Sequence, residues 1–184
     1  MKRRTLIQIS AAAGLAGCRG PDQAVRARLT EAELALLELV CEQIVPTDED
    51  PGAREAGAAH YIDRQFSKRL KAFPERYRQG LAALDATSHD VYGRGFAALT
   101  FAERTALLRK VESSKVKQEL WPHQPSRQFF AIVREHTIEG VFSHPRHGGN
   151  RDLVGYRMLG WEYPEPRGQN RYTDARFTAR GKEE

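Results

Sequence analysis

Cysteine is scarce in this sequence, with two in 184 residues. One of them, Cys18, closes an apolar N-terminal stretch, which leaves Cys41 without an intrachain disulfide partner once that stretch is processed. Long hydrophobic runs are missing as well, and none approaches the roughly 20 apolar residues that a membrane-spanning helix requires. There is no C-x-x-C-H for haem, no cysteine set for an iron–sulfur cluster and no dinucleotide fingerprint. Gly93-Arg94-Gly95 lacks the third glycine, the preceding strand and the following lysine of a nucleotide loop. No serine or cysteine stands in a recognisable nucleophile setting. A chain with nowhere evident to hold a redox cofactor gives little support to independent redox catalysis. Charge of one sign is also in short supply. The formal charge is +5, but Lys2, Arg3 and Arg4 supply three of it, leaving 26 basic against 24 acidic residues. Acids and bases interleave, and no basic stripe carries aromatics, so nucleic acid is not an expected partner.

What is present is helical periodicity. Thr30-Glu31-Ala32-Glu33 forms a capping box, and Leu34, Leu37, Cys41, Ile44 and Val45 follow at helical spacing until Pro46. Cys41 reads as a small buried hydrophobe on that face. The acidic turn Thr47–Gly52 lacks the spacing of a calcium loop and reads as solvated. A second helix is predicted over 54–71, with Ala58, Ile62, Phe66 and Leu70 on one face. A third is predicted over 74–88, with Tyr77, Leu81 and Leu84 inward and Pro74 in its first turn. Thr100-Phe101-Ala102-Glu103 is a second capping box, opening a helix with Leu107, Leu108 and Val111. The last long helix begins near Ser126 and carries Phe129, Phe130, Val133, Thr137 and Val141. No strand series and no internal repeat emerges. The fold class is therefore all-α, an irregular bundle of about five or six helices with a long ordered loop and mobile termini. The domain plan is a signal over 1–18, a tether over 19–29, a helical domain over 30–164 and a polar tail over 165–184.

The first 18 residues read as an export signal, with a basic start, a mild apolar run and small residues. Arg3 and Arg4 resemble the twin-arginine motif. The low hydrophobicity of the run, interrupted by Gln8 and Ser10, is similar to Tat signals, which carry folded cargo. Leu15-Ala16-Gly17-Cys18 looks like a lipobox, in which Cys18 is acylated and anchors the protein without spanning the bilayer. A plain cleaved signal with Cys18 incidental is the alternative.

The stretch Phe129–Trp161 gathers three of the six histidines, a Gly-Gly pair and one of the two tryptophans. His136, His144 and His147, with Glu135, Glu139 and Asp152, are metal-ligand types close together, but the H-E-x-x-H pattern is absent. His136 and Glu139 are three apart on one helical face, so they can share a ligand, bond each other or act as base and orienter. The structural reading has His136 tying the helix to the following loop and Glu139 accepting its proton or capping loop amides. In that loop Pro145 fixes φ, Gly148 and Gly149 allow positive φ, and Asn150 can close the turn through its side chain. Phe142, Tyr156, Met158, Leu159 and Trp161 flank it as either core or docking face.

At His136-Thr137-Ile138-Glu139-Gly140, Phe142, Pro145 and Gly148-Gly149-Asn150 the chain resembles the gluconate 2-dehydrogenase subunit 3 family. These are the small subunits of membrane-bound FAD-dependent sugar and sugar-acid dehydrogenases. The segments LTEAELALLELVCEQIVPTDEDPGAREAG and GFAALTFAERTALL support the resemblance, which covers about residues 29–164. The family offers a tryptophan after the Gly-Gly-Asn turn, where this chain has Gly155-Tyr156. Either Trp161 takes part of that role or the docking detail differs. The resemblance implies a non-catalytic subunit with no cofactor of its own. Its partners would be a flavin subunit of the glucose-methanol-choline (GMC) type and, often, a multihaem cytochrome c. It further implies that the twin-arginine signal takes the folded flavin subunit through the Tat translocon. The expected location is the periplasm, membrane-associated through Cys18. His136, Glu139, Gly140, Pro145, Gly148, Gly149, Asn150 and Trp161 are then structural or partner-docking residues, with Asn150→Ala expected to weaken the complex more than the fold. The competing reading is a stand-alone periplasmic lipoprotein with a His/Glu metal-binding or hydrolytic site.

Overall fold

A computed structural model describes residues 28–161. Arg3, Arg4, Cys18, residues 19–27 of the tether and the polar tail lie outside the described residues, whereas Leu29 at the end of the tether packs on the core and donates its N–H to Asp63 Oδ1 at 2.8 Å. Within them the chain is all-α and contains no strand. The helices are α1 (Glu31–Ile44), α2 (Ala58–Gln65), α3 (Pro74–Tyr92), α4 (Phe101–Glu112), α5 (Ser126–Phe142) and α6 (Val154–Met158). Short 3-10 turns at Phe96–Ala98, Gln118–Leu120, Pro145–His147 and Arg151–Leu153 join them. Among the described residues no helix is long and apolar enough to cross a membrane.

Both capping boxes form. Thr30 and Thr100 each accept the backbone N–H three residues on, and Glu33 and Glu103 reach back to the cap N–H at 2.7 and 2.8 Å. Each box satisfies two helix-end donors that would otherwise need water. Glu103 also receives Arg94 Nη2 at 2.7 Å, and these bonds, led by those from Thr100, lower its carboxyl pKa.

Two predicted boundaries differ. The second helix, expected over 54–71, is regular only from Ala58 to Gln65. Gly57 stands left-handed at φ 70°, and the Ala58 N–H reaches back five residues to Ala53 O at 2.9 Å, so 53–57 form turns. At the far end the N–H groups of Lys68 and Leu70 both donate to Gln65 O, which ends the regular ladder. The inward face nevertheless holds, because Ala58, Ile62, Phe66 and Leu70 are all buried. The third helix, expected to stop at Ser88, continues to Tyr92 and closes on left-handed Gly93, whose N–H bonds His89 O at 2.9 Å. Glycine adopts this cap without Cβ strain. The acidic turn is tied down by flanking carboxylates: Glu42 accepts the Thr47 N–H at 3.0 Å, and Glu55 accepts the Thr47 hydroxyl at 2.8 Å.

α5 is the axis of the bundle and packs against every other helix. Phe129, Val133 and Val141 lie fully inside, beside Tyr77, Leu81 and Leu84 of α3, Leu107 and Val111 of α4, and Leu37 and Val40 of α1. Each such side chain contributes about 1.5–3 kcal/mol by leaving water. Gly80 lets α3 close on α5, because a Cβ there would overlap the Phe129 ring.

Candidate functional site

The C-terminal half of α5 and the turn after it form one braced unit. Thr137 is buried, with Oγ1 2.7 Å from Val133 O and 3.3 Å from Cys41 Sγ. Burial pushes the Cys41 thiol up to about 12, so it stays protonated and inert, as a packed hydrophobe should. One turn later Gly140 brings α5 against α2. A Cβ at 140 would lie 2.9 Å from Ala58 Cα, a contact only a shift of backbone could relieve.

The turn is then laid across this close pair. Asn150 N–H donates to Gly140 O at 2.8 Å, and Arg151 N–H donates to Ala56 O at 3.1 Å. Gln65 Nε2 donates to His147 O at 3.1 Å. The turn thus bonds both helices at once. Gly149 permits it: a Cβ there would overlap Gly140 O and lie 3.0 Å from Gly140 C. Gly155 repeats the device one step on, where a Cβ would overlap Val141 O and press within 2.9 Å of the Phe142 ring. Gly148 has a different reason, its φ of 98°.

Asn150 is the latch. It is left-handed (φ 46°, ψ 46°), and its Oδ1 accepts the Gly155 N–H at 2.8 Å. Asn tolerates that conformation better than most residues. Asp152 (φ 52°) and Leu153 (φ 59°) follow in the same region, at a cost of about 1–2 kcal/mol each that the surrounding bonds must offset. Asn150 Nδ2 is buried without a hydrogen-bond partner. Asn150 is 0% exposed, so any effect on a complex would run through the turn that it holds. The fold itself should also register its loss. Asn150→Ala loses the bond to Gly155 and adds left-handed strain, about 2 kcal/mol together, whereas Asn150→Gly loses the bond alone, about 1 kcal/mol. Urea denaturation of the two variants checks the order.

His136 and Glu139 do not brace the turn as expected. His136 is buried and faces α3: Nδ1 lies 2.9 Å from the Tyr77 hydroxyl, and the two rings stack. Phe73 meets the imidazole edge-on at 5.0 Å. Burial lowers the His136 pKa against the opposing pull of Glu139 and Glu135, and raises that of Tyr77. Both groups are therefore neutral, and one hydrogen bond joins the hydroxyl and Nδ1. Glu139 turns the other way, to an ion pair with Arg69 beside Tyr61. The helix carbonyl of Gly140, which has no side-chain signature in a sequence, does the bracing instead.

The other histidines lie at the turn. His144 Nδ1 accepts Arg146 N–H at 3.1 Å, and Arg146 Nε donates to His147 Nε2 at 3.2 Å. Among the described residues no three His, Cys, Asp or Glu side chains converge to hold a metal. Pro145 opens the 3-10 turn. Phe142 and Met158 pack on the core, while Leu159 and Trp161 are about half exposed (48% and 54%), Trp161 leaning on Tyr156 at 6.0 Å between ring centroids.

A family model for gluconate 2-dehydrogenase subunit 3 matches residues 31–163, nearly the whole described fold and this turn with it. The chain belongs to that family. No curated protein and no solved structure matches the chain. In this subunit 3 member the Gly140, Gly149, Asn150 and Gly155 positions build one backbone junction. The His136–Gly140 run divides its labour: His136 meets Tyr77 of α3, Thr137 meets Cys41 of α1, Glu139 pairs with Arg69 beyond α2, and Gly140 closes on Ala58 of α2.

Proposed function

We propose that this chain is a non-catalytic accessory subunit of a periplasmic, membrane-associated, FAD-dependent dehydrogenase complex of the GMC type. It escorts the folded flavin subunit through the Tat translocon by its Arg3-Arg4 signal and keeps it at the membrane through acylated Cys18. The flavin, and haem c where a cytochrome subunit is present, belong to the partners. The observation that carries this reading is the family match over residues 31–163. The geometry of the turn supports it, since the backbone N–H groups of Asn150, Arg151 and Gly155 are spent on joining α2, α5 and α6, and His147 is bonded to Arg146. The N-terminal sequence supplies the export and anchoring part. The test is Arg3→Lys with Arg4→Lys in cells that co-express a candidate GMC-type flavin subunit from the same organism. Fractionation should find both proteins held in the cytoplasm. Normal export of the flavin subunit would sink the escort role.

A further inference from the structure

The turn carries a second kind of order, in its charges. From Gly140 to Trp161 the sequence has Arg146, Arg151 and Arg157 against Asp152 alone, a net +2 with histidines neutral (3 − 1). Among the other exposed bases Arg69 pairs with Glu139, Arg94 with Glu103, Lys117 with Asp90 and Arg134 with Glu112, while Arg109 and Lys110 on α4 form no ion pair among the described residues. Arg64, Arg146, Arg151 and Arg157 are exposed, and none forms an ion pair with a carboxylate of the described residues.

Two of these arginines are seated by glycines. The stem of Arg64 lies over Gly148, its Cδ 2.8 Å from where a Cβ would stand. Arg151 lies over Gly57 in the same way, its Cδ again 2.8 Å from the Cβ position. Both glycines have positive φ. The stems cross in opposite senses, from α2 onto the turn and from the turn onto α2. Between them Arg146 is held by its Nε bond to His147 Nε2, while the His147 carbonyl is fixed by Gln65. Two arginine stems thus lie against the junction of α2 and the turn, and a third guanidinium is bonded to His147 beside it. Arginine forks match carboxylates in pairs, and arginine is enriched among residues that dominate interfaces.

We propose that the face carrying Arg64, Arg146 and Arg151 is the docking surface for an acidic surface of the flavin subunit. The proposal rests on the accessory-subunit reading above. A protein partner fits better than a lipid surface. A membrane asks only for net positive charge, whereas here the arginine stems lie at particular glycines of the turn and of the segment before α2. Each makes a directed contact with a carboxylate, and the desolvated junction between α2 and α5 supplies the rigid floor.

The experiment uses the full chain co-expressed with a candidate GMC-type flavin subunit from the same organism. Arg64→Glu, Arg146→Glu and Arg151→Glu are combined in one variant. A control carries Arg109→Glu and Lys110→Glu on the exposed side of α4. Circular dichroism and thermal melting establish that both fold. The turn variant should bind the flavin subunit at least about tenfold more weakly, with the loss concentrated in the association rate, and the control should bind as wild type does. Wild-type affinity should fall as salt rises. Unchanged binding by the turn variant overturns this surface and leaves the accessory role standing. Absence of any wild-type complex overturns the accessory role and this surface with it. Loss of binding to phosphatidylglycerol vesicles with the protein complex intact would assign the face to lipid and overturn the proposal.

Discussion

Gly149→Ala is expected to cost about 3 kcal/mol or more, while its neighbour Gly148→Ala costs only about 1–2 kcal/mol. The two glycines are adjacent and look equivalent in the sequence. Gly148 needs its positive φ, and a Cβ there would meet the flexible Arg64 side chain. Gly149 has no such φ, yet a Cβ there would collide with the Gly140 carbonyl, part of the α5 backbone. Relief requires the turn to lift away. That breaks Asn150 N–H to Gly140 O and strains Arg151 N–H to Ala56 O, each worth about 1 kcal/mol net. Folded domains hold only about 5–15 kcal/mol in total. The melting temperature should drop by roughly 10 °C for Gly149→Ala, and by half that or less for Gly148→Ala. Equal losses at the two positions would mean that the turn rests on conformation and not on close approach.

Tyr77→Ala should be still more damaging, at about 3–5 kcal/mol. Tyr77 is fully buried among Phe66 (ring centroids 5.1 Å apart), Phe129 (6.2 Å) and His136 (6.0 Å). Truncation empties the junction of α2, α3 and α5 and leaves His136 Nδ1 without its hydrogen-bond partner. Tyr77→Phe keeps the ring and loses only the hydroxyl, about 1–2 kcal/mol. The same pair imposes a pH dependence. The folded-state pKa of His136 is depressed, first by burial. Above the ordinary value of about 6.5 both states are neutral and nothing is lost. As the pH falls below it, the unfolded chain takes up the proton first, so stability declines until the folded-state value is passed. Chemical denaturation between pH 7.5 and 5.5 should therefore show a downward slope toward acid that His136→Gln reduces. An unchanged slope would place the titrating group elsewhere.

The features legible in the sequence were local ones. The capping boxes at Thr30 and Thr100 need only a residue and its third neighbour, and both are where the spacing put them. The apolar stripes of α1, α4 and α5 were read from periodicity alone; Leu37, Cys41, Leu107, Leu108, Val111, Phe129, Val133, Thr137 and Val141 are buried, while Leu34, Ile44, Val45 and Phe130 are half-buried against the core. The Gly-Gly-Asn run announced a turn. The partners of its neighbours were not legible. Tyr77 is 59 positions from His136, and Arg69 is 70 from Glu139, so no spacing rule links them. Two residues of suitable chemistry on one helical face suggested a shared task. In the fold they face different helices, because three residues of α-helix turn the direction by about 300° and the packing on either side of that stripe differs. The length of α2 was overestimated because alanine, arginine and glutamate around Gly57 favour helix, and a single left-handed glycine overrode them. The seats under Arg64 and Arg151 were equally hidden, since a glycine gives no sign of which distant stem lies on it.

The double attachment of the turn also bears on the order in which the chain assembles. Asn150 hangs from Gly140 on α5, and Arg151 from Ala56 at the head of α2, 95 positions earlier (151 − 56). Neither bond by itself positions the left-handed run that follows. The turn can close only after α2 has already found α5, so it forms late and adds little to the rate of folding. It acts instead on the reverse process. A contact made after the rate-limiting step slows unfolding without hastening folding. The junction that presents the arginines is therefore a kinetic clasp, keeping α2 and α5 together for longer once they have met.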